Sequence, residues 1–244
     1  MPSPNKIALV FGSNGSIGSA IAEHLKSKEI ITIGIGRKKN LKTKEHYYYC
    51  DLNNEKEICQ LKAKIVKKYG IFHYMIMCQG IQNRKPLLDY TLTEWNEVIN
   101  LNLTSNFLLF KYFCPILIEN NFGRIVGISS LTSRIGIRNI AAYAASKGGL
   151  EQLMMTLSVE LSKYEITVNT INPGRIQTTM TYDIHNQLLT QDSMVSRIPK
   201  GRFGMPKDLI SAIDFLIDER SSYITGQSII IDGGWMASGG NPLM

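Results

Sequence analysis

The sequence predicts an α/β protein in which a parallel sheet of about seven strands is doubly wound, with helices on both faces. Three observations carry the prediction. Strand-like and helix-like runs alternate from the first residues. The strand-like runs are short and wholly apolar, as strands buried on both faces are. No shift in composition divides the 244 residues, so the whole span 1–244 reads as one domain with a substantial core.

Residues 6–11 form the first apolar run, and Ile17, Ile21 and Leu25 after it recur at helical spacing. Residues 30–35 make the second strand and 46–50 a short third. Residues 56–68 follow as an amphipathic helix with Ile58, Leu61, Ile65 and Val66 on one side and lysines around the rest. Residues 72–77 are the fourth strand, and a long helical region runs over 93–118, with Pro115 as a candidate break. A fifth strand at 124–128, a helix at 143–162 and a sixth strand at 166–171 come next. After a loop-rich insert, a helix near 208–217 and a last strand at 227–232 close the pattern.

Composition narrows the function classes. Hydrophobic residues make up 44% and charged residues 19%, an ordinary globular balance. The net charge of +7 suits an anionic ligand, but the lysines of 56–68 read as a solvated helix face, which argues against nucleic acid. No signal peptide is expected at Met1-Pro2-Ser3-Pro4, and the apolar run 107–118 is interrupted by Lys111 and Pro115 and too short to span a bilayer. Cys50, Cys59, Cys78 and Cys114 lack metal-ligand spacing, so free thiols in a reducing cytoplasm are expected, with no metal and no membrane.

Directly after the first strand comes Gly12-Ser13-Asn14-Gly15-Ser16-Ile17-Gly18. Glycines there permit a tight turn and close approach of a pyrophosphate to a helix N-terminus, the Rossmann-type arrangement for a dinucleotide. The second strand ends in Gly36-Arg37-Lys38-Lys39. An acid at that point would hold the ribose hydroxyls of NAD(H); Gly36 lacks it, while Arg37 and Lys38 offer positive charge to a 2′-phosphate. NADP(H) is therefore favoured over NAD(H). Asp51 has two readings, a contact to the adenine edge or a cap for the helix starting near Asn54.

Tyr143 and Lys147 stand four residues apart, on one helical face, with Ser130 thirteen residues before the phenol. An ammonium beside a phenol favours the phenolate, and a tuned phenol is a general acid/base for a carbonyl or alcohol. Together with the glycine loop, Asn102 in Asn-Leu-Asn-Leu-Thr, Asn172-Pro173-Gly174-Arg175-Ile176-Gln177-Thr178 and Asp232-Gly233-Gly234, these residues resemble the short-chain dehydrogenase/reductase family over nearly the whole chain.

The resemblance implies roles. Tyr143 would be the proton donor for reduction and the base for oxidation. Ser130 would polarise the substrate oxygen, with Ser129 the alternative if the register shifts by one. Lys147 would lower the Tyr143 pKa and hold the nicotinamide ribose, and Asn102 would hold a relay water. Ile176 and Thr178 would anchor the carboxamide, with further cofactor contacts from Leu52, Gly80, Pro173 and Gly174. Two departures stand out: Phe11 replaces the family's first-loop Thr and Ser16 its central glycine, and Met77-Cys78-Gln79-Gly80 replaces Asn-Asn-Ala-Gly.

The loop Ile81-Gln82-Asn83-Arg84-Lys85-Pro86-Leu87 resembles that of gluconate 5-dehydrogenases, which makes a sugar acid or related polar ketone the favoured substrate. Arg84 then reads either as a carboxylate clamp or as a surface or subunit contact. A 3-oxoacyl-acyl-carrier-protein reductase is the alternative, although Asn121 and Tyr164 stand where docking arginines are expected. A sensor without catalysis would need only the glycine loop. Residues 179–205, with Met180, Tyr182, Leu188, Leu189 and Met194, are the expected substrate lid. The resemblance also implies a homotetramer or dimer through the helices around Trp95–Ile118 and Tyr143–Ser162. The tail from Trp235 either closes over a neighbouring subunit or frays.

Overall fold

A computed structural model describes residues 6–38, 46–182 and 194–241. Seven strands form one sheet: β1 (Ile7–Phe11), β2 (Ile31–Gly36), β3 (Tyr47–Tyr49), β4 (Tyr74–Met77), β5 (Gly123–Ile128), β6 (Ile166–Pro173) and β7 (Ser228–Ile231). Their spatial order is β3-β2-β1-β4-β5-β6-β7, and every pair is parallel. The register sets Leu9 opposite Ile33 on one side and Met75 on the other. The chain reverses its winding between β1 and β4, and the cleft beyond the carboxyl ends of these strands is where such sheets bind ligands.

Alternate residues of each strand serve two cores. Leu9, Phe11, Ile33, Met75 and Ile125 pack with Ile58, Leu61 and Ile65 of α2 (Glu55–Tyr69), Phe113 and Leu117 of α4 (Ser105–Glu119), and Leu150 and Met154 of α5 (Ala141–Glu160). Ala8, Val10, Ile76 and Val126 face the other way, against Ile21 and Leu25 of α1 (Ser16–Ser27) and Ile213 and Leu216 of α6 (Ile210–Ile217). Burial on both faces explains why β1 and β4 are apolar throughout rather than alternating, while β2, β5 and β6 bury the polar Thr32, Arg124, Asn169 and Asn172.

The long helical region differs from expectation in where it is irregular. It continues through Pro115, and the irregularity lies at Asn100–Thr104, a π-helical turn between α3 (Leu92–Ile99) and α4. Such an extra residue per turn redirects side chains and recurs at functional sites; here it carries Asn102. The combined span Leu92–Glu119 is long and apolar enough to cross a bilayer, but 61% of its most apolar window is buried inside the fold, so it serves as a core helix.

Candidate active site

The carboxyl ends of β1, β4, β5 and β6 open into a cleft of about 250 Å³. Its floor begins with the glycine loop. Gly12 has φ +73°, and a Cβ there would lie 2.6 Å from the Gln79 backbone N; a Cβ on Gly18 would lie 2.4 Å from the Gly12 carbonyl oxygen. Both positions therefore require glycine for close packing. Gly15 is the N-cap of α1, where no side chain caps the helix and no acid sits in the first turn. Its first N–H groups are left for an anion, and Gly15, Ser16, Ile17 and Gly18 all line the cleft.

The neighbouring loop residues have structural duties. Ser13 Oγ donates to the Ile35 carbonyl at 3.4 Å, and Asn14 Oδ1 accepts from the Tyr47 hydroxyl at 2.7 Å. Ser16 Oγ accepts from the Thr179 N–H at 3.1 Å, tying the loop to the segment after β6. At the end of β2, a Cβ on Gly36 would meet Asn14 Oδ1 at 2.0 Å, so any longer side chain must displace the Asn14 amide from its place beside Tyr47. Arg37 and Lys38 are exposed beside it, and the Lys38 N–H donates to the Tyr47 hydroxyl at 3.1 Å. Lys39 lies outside the described residues. The cradle fits a dinucleotide, and the acid-free end of β2 fits a phosphorylated one.

Asp51 does not cap the helix: Asn54 does, accepting from the N–H groups of Lys56 and Glu57. Asp51 instead accepts from Asn53 N–H at 3.1 Å, its own N–H donates to Glu57, and Leu52 beside it is buried. The spacing to α2 hid this, because Asn54 is a better cap one turn closer.

Tyr143 sits in the first turn of α5, and Ser130 ends β5 as the N-cap of a 3₁₀ turn, Leu131–Ser133. The Ser130 hydroxyl accepts from the Thr132 N–H at 3.2 Å and stands beside the Tyr143 phenol in the lining of the cleft. Ser129 points elsewhere, donating to the Lys147 carbonyl at 3.2 Å, so the register selects Ser130. Lys147 is buried with its Nζ donating to the Ile128 carbonyl at 2.7 Å, 5.7 Å from the centre of the Tyr143 ring. Burial pushes its ammonium down to about 8. Burial likewise holds the Tyr143 phenol above its ordinary value; Ser130 and then Arg84 oppose this. The net shift is thus a rise caused by burial, where a lowering by Lys147 was expected.

Asn102 lies beneath the cleft and not in its lining. Its side chain brackets Ile81, accepting from its N–H and donating to its carbonyl, both at 2.9 Å, and donates to Ser146 Oγ at 3.0 Å. It fixes the loop after β4, so that a Cβ on Gly80 would stand 3.3 Å from Asn102 Oδ1 and 3.6 Å from Lys147 Nζ. Gln79 turns away, donating to Ser105 and Asn106. Gly80, Arg84, Pro173, Gly174, Ile176, Thr178 and Met180, named from the family resemblance, line the cleft. Of the expected lid, Leu188 and Leu189 lie outside the described residues.

Sequence reasoning missed several lining residues: Arg175, Gln82, Thr132 and Trp235. Trp235, at the head of the C-terminal tail, lines the cleft of its own chain. It also missed the support beneath Ser130, where Glu151 accepts from Arg134 at 2.5 Å and from Asn172 at 2.9 Å. No local spacing connects these residues; only the packing of α5 against β6 does.

A glycine cradle beside a hydroxyl, a phenol and a buried lysine defines an oxidoreductase site for carbonyls and alcohols. The family model described as enoyl-(acyl carrier protein) reductase matches residues 12–236. The chain is 32% identical over 250 residues to a 2-dehydro-3-deoxy-D-gluconate 5-dehydrogenase of Formosa agariphila, covering 97% of this chain and 95% of that one. It is 34% identical over 237 residues to a 3-oxoacyl-acyl-carrier-protein reductase of Buchnera aphidicola, covering 94% and 96%. A candidate NAD(P)-dependent gluconate 5-dehydrogenase from Beutenbergia cavernae, solved with NADP at low occupancy, superposes with a TM-score of 0.90 at 28% identity, covering 96% and 98%. The chain belongs to the short-chain dehydrogenase/reductase family.

Proposed function

We propose that the protein reduces and oxidises a small acidic carbonyl or alcohol substrate with NADP(H), a sugar acid or related polar ketone being favoured. The observation that carries the reading is that Ser130, Tyr143 and buried Lys147 line the same cleft as the uncapped glycine loop. Gly12–Gly18 would hold the pyrophosphate; Arg37 and Lys38 would hold the 2′-phosphate; Leu52, Gly80, Pro173, Gly174, Ile176 and Thr178 would flank the remaining parts. The cofactor supplies or accepts hydride. Ser130 orients and polarises the substrate oxygen, and Tyr143 delivers a proton to it. Lys147, poised near 8, holds a proton beside that phenol, and Asn102 keeps the Gly80–Ile81 turn in position. The NADP-bound relative and the glycine at position 36 support the choice of nucleotide.

A second reading, reduction of a 3-oxoacyl thioester, is favoured by the curated reductases and by the apolar wall that Ile135, Ile137 and Ile140 give the cleft. Residues 179–205 would form the lid. Exposed Phe107 on α4 with Met155 and Val159 on α5 supports assembly through those helices into a dimer or homotetramer. The four free thiols suit a reducing cytoplasm. The test is a titration with NADPH and NADH, followed by a panel of sugar acids, acyl thioesters and neutral ketones. The proposal expects tighter NADPH binding and fastest turnover of an acid; turnover confined to thioesters selects the second reading, and no turnover with intact NADPH binding selects a sensor.

A further inference from the structure

We infer that Arg84 and Arg175 form a paired-arginine cradle for an anionic group on the substrate, and that Arg175 sets the charge selectivity of the site together with Arg84. The inference deepens the proposed function and rests on it.

Three cationic side chains line the cleft, Arg84, Lys147 and Arg175, and no acidic side chain does among the described residues. Lys147 is committed to the Ile128 carbonyl. In the flanking loops Lys85 pairs with Glu94, Arg134 with Glu151, and Arg202 with Asp208. Arg84 and Arg175 make no ion pair among the described residues, although their backbones are held firmly. Lys85 N–H donates to the Asn139 carbonyl at 3.0 Å and the Tyr90 hydroxyl to the Asn83 carbonyl at 2.6 Å, one on each side of Arg84. Gly204 N–H donates to the Arg175 carbonyl at 2.8 Å.

Both guanidinium side chains line the one cleft. Arg175 lies below its ordinary pKa first through burial and then through Arg84, and Arg84 in turn is close enough to Tyr143 to oppose the rise of its phenol. Like charges brought together at the rim of a partly desolvated cleft cost free energy until an anion joins them. A carboxylate or phosphate accepts planar guanidinium groups in a fork, and two forks from different loops fix its position relative to the phenol. The anion would then lie between Arg84 and Arg175, in a cleft whose lining also includes Ile135, Ile137 and Ile140.

The experiment compares oxo acids of graded length with their methyl esters, which keep the reacting carbonyl and remove only the charge. It measures kcat/KM for both and, by calorimetry, binding of each to the NADPH complex. Wild type should prefer the acid in both readouts. In Arg175→Gln and in Arg84→Gln the acid-to-ester ratio should fall about tenfold to a hundredfold, the loss expected for a charged hydrogen bond. Arg175→Lys should recover part of it, since charge returns without the fork. NADPH affinity, read by fluorescence, should stay within about twofold. Equal loss for acid and ester means a merely structural role and overturns the inference, as does weakened NADPH binding, which would assign Arg175 to the cofactor. Wild type binding acid and ester alike overturns it too. Charge-selective binding without turnover would instead remove the proposed reaction and leave the cradle standing.

Discussion

Replacing Lys147 with methionine should abolish turnover and yet stabilise the protein. The ammonium is 3% exposed and carries one hydrogen bond, to the Ile128 carbonyl at 2.7 Å. It loses its proton near 8 rather than 10.5, so burying its charge costs about 3 kcal/mol at neutral pH. Methionine fills a similar volume without charge, while the lost hydrogen bond takes back about 1 kcal/mol. A net gain of about 1–2 kcal/mol, or about 3–6 °C in Tm for a chain of this size, follows. The sign of the pH dependence is fixed. Below about 8 both folded and unfolded wild type hold the proton, and the full penalty applies. Between 8 and 10.5 the folded protein sheds it first, wild type gains stability, and the gap to the variant closes. Urea unfolding at a series of pH values measures it. A variant no more stable than wild type at pH 7, or a gap that persists at alkaline pH, would refute the view that Lys147 is held against its desolvation cost.

Tyr143→Phe should leave NADPH binding intact and lower kcat about 10²- to 10⁴-fold, the range for a lost general acid; retained turnover removes the phenol from the mechanism. Gly36→Asp should weaken NADPH binding without creating NADH affinity, because its Cβ meets Asn14 Oδ1 at 2.0 Å; a clean switch to NADH in the single variant would contradict the packing. For Glu151, burial pushes the carboxyl up, but hydrogen bonds led by Ser133 and Arg134 bring it down to about 2. Its contribution is complete above about 4.5 and lost as pH falls toward 2, so Glu151→Gln should flatten the acid limb of the stability curve. An unchanged limb would show that the network does not hold the site. Val159→Glu, which charges an exposed apolar side chain of α5, should lower the oligomeric state by sedimentation; an unaltered assembly would move the interface elsewhere.

Much of this was legible in the residues. The strands could be read because burial on both faces keeps them mostly apolar, with Thr32, Arg124, Asn169 and Asn172 as buried polar exceptions, and the glycine loop because it follows the first strand and opens a helix. Ser130, Tyr143 and Lys147 could be read as a set because they lie on one strand end and one helical turn. Arg175 could not be assigned a place, since nothing local says which way a residue after β6 will face. Nor could Asp51 be told from Asn54 as the helix cap, since both are good caps a few residues apart.

The sequence by itself determined the order of the elements and the place of the glycine loop after the first strand, because each depends on period or spacing. The acid/base role of Tyr143 rests on the family resemblance. Only the tertiary structure decided the electrostatics. Lys147 turns to a carbonyl of β5, Tyr47 closes over Asn14 from 33 residues away, and Arg84 and Arg175 arrive from separate loops with no acid between them. Charge and burial depend on which distant segments share a cleft, and sequence spacing along the chain carries no record of that distance.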